Sequence, residues 1–147
     1  MLLDQKLIMI ELEVSTKEEA LTQLGNRLSD LGYVKKSFTK SILLREKEFP
    51  TALPTHPYGV AIPHTDADQV ITSKLAIALL KNTIPFSQMG NNQQEIKVKA
   101  IFMLAMENAN DHSEILGKLM GVFQDKALLY RLDQMKKHDD IIQLLRF

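Results

Sequence analysis

The sequence predicts an α/β fold, in which a single layered domain has a mixed central β-sheet flanked by helices. The first observation behind this prediction is an early strand-like run followed by helical periodicity. The second is a pair of long apolar runs at 74–82 and 96–106, and the third is helical spacing from residue 111 onward. No repeat or linker divides the 147 residues, so we expect one domain over 1–147.

The first part of the chain predicts one strand and two helices. Residues 6–14, KLIMIELEV, are mainly apolar and β-branched, which favours a strand. Two overlapping capping-box patterns begin at Ser15 and Thr16, and they precede leucines spaced for one helical face up to Gly32. A second helix is predicted over 37–48, because the Phe-Pro pair that follows would end it.

The remainder predicts a loop, further strands and a helical last third. Three prolines in 50–57 indicate a loop before the short strand 58–62. The two long apolar runs are predicted to be strands separated by a polar turn at 90–94. Between them, 83–89 is predicted to form a short edge strand, since its proline cannot donate to a central ladder. The final helices are predicted at 111–124, 126–135 and 138–146.

Composition excludes several classes of function. Lys plus Arg and Asp plus Glu both number 18, and this balance disfavours a nucleic-acid surface, which needs clustered basic charge. The chain has no cysteine, which excludes disulfides, cysteine zinc sites and thiol nucleophiles. No run reaches the roughly 20 apolar residues of a membrane span. We therefore expect a cytoplasmic protein without membrane insertion.

His64 is the first candidate site residue. It lies in the segment GVAIPHTD (59–66), directly after Pro63. The fixed φ and missing N–H of proline would end the strand and leave His64 at its carboxyl edge, where sites of α/β sheets collect. From this local pattern alone, a surface turn histidine is an equally good interpretation.

His112 is the second candidate. Asp111 is predicted as the N-cap of a helix with Glu114 at the third helical position, so His112 falls in the first turn. A helix start favours anions such as phosphate. Taken alone, an exposed first-turn histidine is the more frequent outcome.

Arg45 is a third candidate with a weaker local signal. It lies near the end of the second predicted helix, ahead of the proline-rich loop, and its guanidinium could bind phosphate oxygens in a paired fashion. The alternative is a solvated charged face beside its Glu and Lys neighbours. The other two histidines, His56 and His138, are predicted to be exposed.

Two segments together resemble a known family. REKEFPTALPTHPYGVAIPHTD, followed by DHSEILGKLM, resembles the IIA component of the phosphoenolpyruvate-dependent sugar phosphotransferase system (PTS). The resemblance is to the fructose–mannitol–galactitol branch, type 2, and extends from about residue 5 to 145. It implies a mannitol-IIA-like fold, and the proline-rich loop is most similar to that of galactitol-type members.

The resemblance implies a role for each candidate. His64 would be the phosphorylated nucleophile, which receives phosphate from the histidine-containing phosphocarrier protein (HPr) and passes it to a cysteine of a IIB component. His112 would be the second active-site histidine, and Arg45 the arginine that faces the phosphoryl group. Thr65 departs from the family pattern, because many relatives have a small residue such as glycine there.

The chemistry of the residues agrees with such a relay. An imidazole with an ordinary pKa of about 6.5 is mostly neutral near pH 7 and is a competent nucleophile. Phosphoryl transfer requires chiefly positioning and charge stabilisation, so we expect neither a metal nor a cofactor. The chain has no GxxxxGK[ST] motif for ATP. Without a cysteine or a membrane-length run, it is expected to be a separate IIA, linked only indirectly to the IIC permease.

Three alternatives remain open at this point. One is a regulatory, nitrogen-type IIA-like protein that signals through its phosphorylation state. Another is a metal-dependent hydrolase with His56, His64, Asp66 and His112 as ligands, although no HExxH-type pair supports it. The third is a binding module without chemistry.

Overall fold

The central feature of the computed structural model, which describes residues 2–147, is a long β-hairpin inside a five-stranded mixed sheet. The strands are β1 (Ile8–Leu12), β2 (Ala52–Leu53), β3 (Gly59–Ala61), β4 (Lys74–Gln88) and β5 (Asn91–Ala105). The helices are α1 (Lys17–Asp30), α2 (Phe38–Glu48), α3 (Ala109–Phe123), α4 (Lys126–Asp133) and α5 (His138–Leu145). Short 3₁₀ turns lie at Gln5–Leu7 and Ala67–Gln69. The predicted α/β class is confirmed.

The hairpin of β4 and β5 organises the other strands. These two strands pair antiparallel, while β1 runs parallel to β4 and β3 runs parallel to β5. The two-residue strand β2 pairs antiparallel with β3, and its Ala52 also pairs with Gln88 near the hairpin turn. The carboxyl ends of β3 and β5 therefore lie side by side. The candidate histidines lie at this edge of the sheet.

Alternate residues of β4 face two separate hydrophobic cores, because successive strand side chains point to opposite faces of a sheet. Ala76 and Ala78 pack in the core under α1 and α2. Leu75 and Ile77 pack in the core under α3, α4 and α5. All four are fully buried, so the sheet is covered by helices on both faces.

The predicted boundaries of α1 are confirmed by its caps. The Thr16 hydroxyl accepts a hydrogen bond from the Glu19 N–H at 3.2 Å, as the capping-box pattern indicates. Past the end of the helix, Gly32 has a φ of +82°, a conformation that glycine adopts at little cost. Local sequence chemistry thus determines both ends of this helix.

Two predictions about the middle of the chain are wrong. Residues 83–89 do not form a separate edge strand, because β4 continues through Pro85, which pairs with Lys97. Beyond Leu80 no residue of β4 pairs with β1, and proline is tolerated where one side of a strand is open. The turn is also shorter than 90–94: Gly90, with a φ of +77°, completes it, and the polar residues after it begin β5.

The loop predicted over 50–57 contains the short strand β2, which the sequence analysis did not anticipate. Only Ala52 and Leu53 pair there, and prolines flank them on both sides. Two paired residues give no periodicity that a sequence pattern can show.

Gly59 is expected to be required for the pairing of β3 with β5. A Cβ at this position would lie 2.4 Å from Ile96 Cγ2 and 2.7 Å from the Lys97 carbonyl oxygen. The paired backbone of β5 cannot move aside easily, so Gly59→Ala is expected to lower the free energy of unfolding by about 2–3 kcal/mol. Urea denaturation measures this change.

Gly117→Ala is the matched control for Gly59→Ala. Gly117 lies within α3, and a Cβ there would have open space around it. Alanine has the higher helix propensity, so this variant is expected to be up to about 1 kcal/mol more stable than the wild type. Equal stability of the two alanine variants would contradict the packing argument.

Candidate active site

His64 lies at the end of the β3 segment, beside the carboxyl end of β5. It forms a single parallel bridge with Leu104, and the Leu104 N–H donates to the Pro63 carbonyl at 2.9 Å. The His64 side chain is half-buried. The sequence prediction that proline leaves this histidine at the edge of the sheet is therefore confirmed in position.

The ring of His64 is oriented by the backbone two residues before it. Its Nδ1 lies 2.9 Å from the Ile62 carbonyl oxygen. A carbonyl oxygen can only accept, so Nδ1 carries the proton of the neutral ring and donates it. Nε2 then keeps its lone pair, which makes it the nucleophilic atom of this imidazole.

The helix that carries His112 begins earlier than predicted. Its N-cap is Asn108, whose side chain accepts from the Asp111 N–H at 2.8 Å, so the assignment of Asp111 as the cap is wrong. Asn108 is also a favourable cap residue, and the Asp111 carboxylate instead accepts a hydrogen bond from the Ser73 hydroxyl at 3.1 Å. His112 is the fourth helical residue, and its N–H is bonded to the Asn108 carbonyl.

The structure brings His64 and His112 together. Their ring centroids are 4.9 Å apart and the ring planes are tilted by 58°. Burial lowers the pKa of His112 below its ordinary value of 6.5, and the neighbouring His64 lowers it further. Near neutral pH, His112 is therefore an uncharged ring next to the nucleophilic one.

The pH dependence of His112 is expected to be measurable. Its folded-state pKa is lowered, so the unfolded chain binds the proton more readily and the free energy of unfolding falls as the pH drops below about 6.5. The loss levels off once the pH is below the folded-state pKa. An NMR titration of the His112 ring should give a midpoint below 6.5.

Urea unfolding between about pH 5.5 and 7 provides the control for this titration. His112→Gln has no titrating ring, so it should show a weaker pH dependence in that window than the wild type. A His112 midpoint at or above 6.5 would contradict the desolvation argument.

Arg45 on α2 reaches the segment that follows His64. Its Nη1 lies 3.4 Å from Asp66 Oδ1, and its guanidinium carbon lies 5.0 Å from the centre of the Phe49 ring. Its Nε is buried without a hydrogen-bond partner. Arg45 thus lies beside the segment that follows His64, and most of its N–H donors have no hydrogen-bond acceptor.

Two serines hold the same segment against α2. The Ser41 and Thr65 hydroxyls are hydrogen-bonded to each other, and the Ser37 hydroxyl donates to the Gln69 side chain at 2.5 Å. This contact was not predicted from the sequence. Ser37, Ser41 and Arg45 are spaced by four residues, a spacing that places side chains on one helical face and could have revealed it.

His56 and His138 are both exposed, as predicted, and lie outside this arrangement. Within residues 2–147, no group of three or more His, Cys, Asp or Glu side chains is placed to hold a metal ion. None of the helices described over that range combines the length and the apolar character needed to cross a bilayer.

Comparison with known proteins identifies the family. Residues 1–147 match the family model described as "Phosphoenolpyruvate-dependent sugar phosphotransferase system, EIIA 2". The chain belongs to this family. The resemblance inferred from GVAIPHTD and DHSEILGKLM is confirmed, and this EIIA 2 protein is a phosphotransferase component of the sugar PTS.

Two curated relatives cover most of this EIIA 2 chain. The "PTS system galactitol-specific EIIA component" of Escherichia coli (strain K12) is 27% identical over 116 residues, covering 79% of this chain and 77% of the relative. The "Mannitol-specific phosphotransferase enzyme IIA component" of Bacillus subtilis (strain 168) is 28% identical over 134 residues, which cover 89% of this chain and 87% of the relative.

A solved structure illustrates the shared fold. The complex of enzyme IIA-mannitol with phosphorylated enzyme IIB-mannitol from Escherichia coli matches with a TM-score of 0.81 and 24% identity. The match covers 98% of this EIIA 2 chain and 96% of the solved one. The predicted mannitol-IIA-like architecture is confirmed.

Proposed function

We propose that residues 1–147 form a single IIA domain that acts as a cytoplasmic phosphocarrier in sugar uptake. It accepts a phosphoryl group on His64 from HPr and passes it to a cysteine of a cognate IIB component, which serves the IIC permease. The observation that carries this proposal is the hydrogen bond from His64 Nδ1 to the Ile62 carbonyl, which leaves Nε2 free for phosphorus.

The loading step needs only groups that are already in place. The Nε2 lone pair attacks the phosphorus held by the HPr histidine, and a new N–P bond forms as the HPr N–P bond breaks. The bonding electron pair returns to the HPr nitrogen. No proton has to leave His64, because Nδ1–H keeps its bond to the Ile62 carbonyl.

The same hydrogen bond keeps the phosphoryl group transferable. A ring that holds both the Nδ1 proton and a phosphoryl group on Nε2 carries positive charge, so it departs readily as a neutral imidazole. A IIB thiolate attacks the phosphorus, the N–P bond breaks, and its electron pair returns to Nε2. This agrees with the general rule that phosphoryl transfer relies on positioning and electrostatics.

His112 and Arg45 provide the electrostatic stabilisation in this proposal. A phosphoryl group on His64 would add negative charge next to the His112 ring, 4.9 Å away, and would raise the pKa of His112. The ring can then accept a proton and stabilise the loaded state. Arg45 supplies a permanent positive charge from α2.

Transfer assays with purified partners test the proposal. The chain is mixed with phosphorylated HPr and then with galactitol- and mannitol-type IIB proteins, with cysteine-to-serine IIB variants as controls. We expect loading, followed by transfer to a cysteine-containing IIB and not to its serine variant. Loading without transfer to any IIB would favour the regulatory alternative, and no loading would refute the proposal.

A further inference from the structure

The guanidinium of Arg45 is only partly satisfied in this structure. It has five N–H donors, yet its one acceptor in the described chain is Asp66 Oδ1, at 3.4 Å. This distance is longer than the usual 2.7–2.9 Å of a charge-assisted hydrogen bond. The buried Nε has no partner at all. Arg45 therefore retains the capacity to bind a stronger acceptor.

Asp66 is a weak and exchangeable partner. It lies two residues after His64, and its carboxylate is 74% exposed. It does not cap the 3₁₀ turn that follows, so within residues 2–147 Arg45 is the partner of its side chain. Exposed ion pairs contribute little stability because water competes for both charges.

A phosphoryl group on His64 would compete directly for Arg45. It carries more negative charge than a carboxylate and offers three acceptor oxygens, which suit the paired donors of a guanidinium. Asp66 and the phosphoryl group would be two alternative acceptors on one short stretch of chain. Asp66 occupies the Nη1 donor of Arg45, so a phosphoryl group that binds this nitrogen has to displace the carboxylate.

We propose that Asp66 is a positioning residue that holds Arg45 while His64 is unloaded and yields it to the phosphoryl group on loading. This inference rests on the proposed function, and it adds that Asp66 weakens retention of the phosphoryl group. The carboxylate thereby favours onward transfer, because recapture of Arg45 by Asp66 accompanies release of phosphate.

Asp66→Asn tests the exchange. The amide keeps the size of the side chain but loses the charge that holds Arg45. At equilibrium with phosphorylated HPr, the ratio of loaded to unloaded protein is expected to rise about two- to fivefold, the range set by a single exposed ion pair. The melting temperature should fall by no more than about 4 °C, the shift that the loss of one exposed ion pair allows, which shows that the variant stays folded.

Two further variants make the test specific. Asp68→Asn removes the same charge from an exposed neighbour in the 3₁₀ turn, and its loading ratio should equal that of the wild type. In an Arg45→Ala background, Asp66→Asn should no longer change the ratio, because the competition has been removed.

Each contrary outcome has a distinct meaning. An unchanged ratio in Asp66→Asn, an equal rise in Asp68→Asn, or a rise that persists without Arg45 would overturn the exchange. If the wild type accepts no phosphoryl group, the proposed function is refuted. That result comes from the wild type alone, so it is distinguishable from a failure of the Asp66 proposal.

Discussion

His64→Ala is expected to abolish phosphoryl acceptance from phosphorylated HPr. The variant lacks the Nε2 lone pair that forms the N–P bond. The nearby His112 is not expected to replace it, because the Ile62 carbonyl orients only the His64 ring. The loading rate should fall below about one thousandth of the wild-type rate, measured by gel or mass spectrometry. The folded state should persist, because His64 is only half-buried.

His56→Ala is the matched control for this experiment. His56 is an exposed histidine in the loop ahead of β3, and its removal should leave loading at the wild-type rate. Circular dichroism on both variants verifies that they fold. A folded His64→Ala protein that loads as fast as the wild type would refute the proposed nucleophile.

Arg45→Lys is expected to have the second largest effect. Lysine keeps the positive charge but loses the planar fork, the Nε donor and the stacking on Phe49. Removing one preorganised donor to a developing anion commonly costs a factor of about 100 to 1,000, and the retained charge should limit the loss here to about tenfold to a hundredfold. Single-turnover loading from phosphorylated HPr measures the rate.

Arg131→Lys is the control for the charge-preserving change. Arg131 is exposed on α4, which packs on the opposite face of the sheet from α2. Its substitution should not alter the loading rate. Equal rates for Arg45→Lys and the wild type would remove Arg45 from the site.

Local chemistry made the ends of α1 and the place of one histidine in the fold predictable. The Thr16 cap and Gly32 determine the ends of α1, and both features are visible within a few residues of sequence. Pro63 likewise lies just past the end of β3 and directly before His64, which keeps only a single bridge to Leu104. Each of these predictions depends on neighbours along the chain and not on tertiary contacts.

Features that depend on distant contacts could not be predicted in this way. Whether Pro85 ends a strand depends on which strand lies beside it, and no local pattern contains that information. Asn108 and Asp111 are both favourable cap residues; Asn108 caps the helix, and the Asp111 carboxylate bonds to the distant Ser73 hydroxyl. The approach of Arg45 to Asp66 requires the packing of α2 against the segment after β3.

The most direct test of the account is the ¹⁵N NMR spectrum of the imidazoles after loading from phosphorylated HPr. We predict one phosphorylated ring, that of His64, with phosphorus on Nε2 and the proton retained on Nδ1 beside the Ile62 carbonyl. Phosphorylation of His112 or of His56 in its place, or of Nδ1 of His64, would contradict the account.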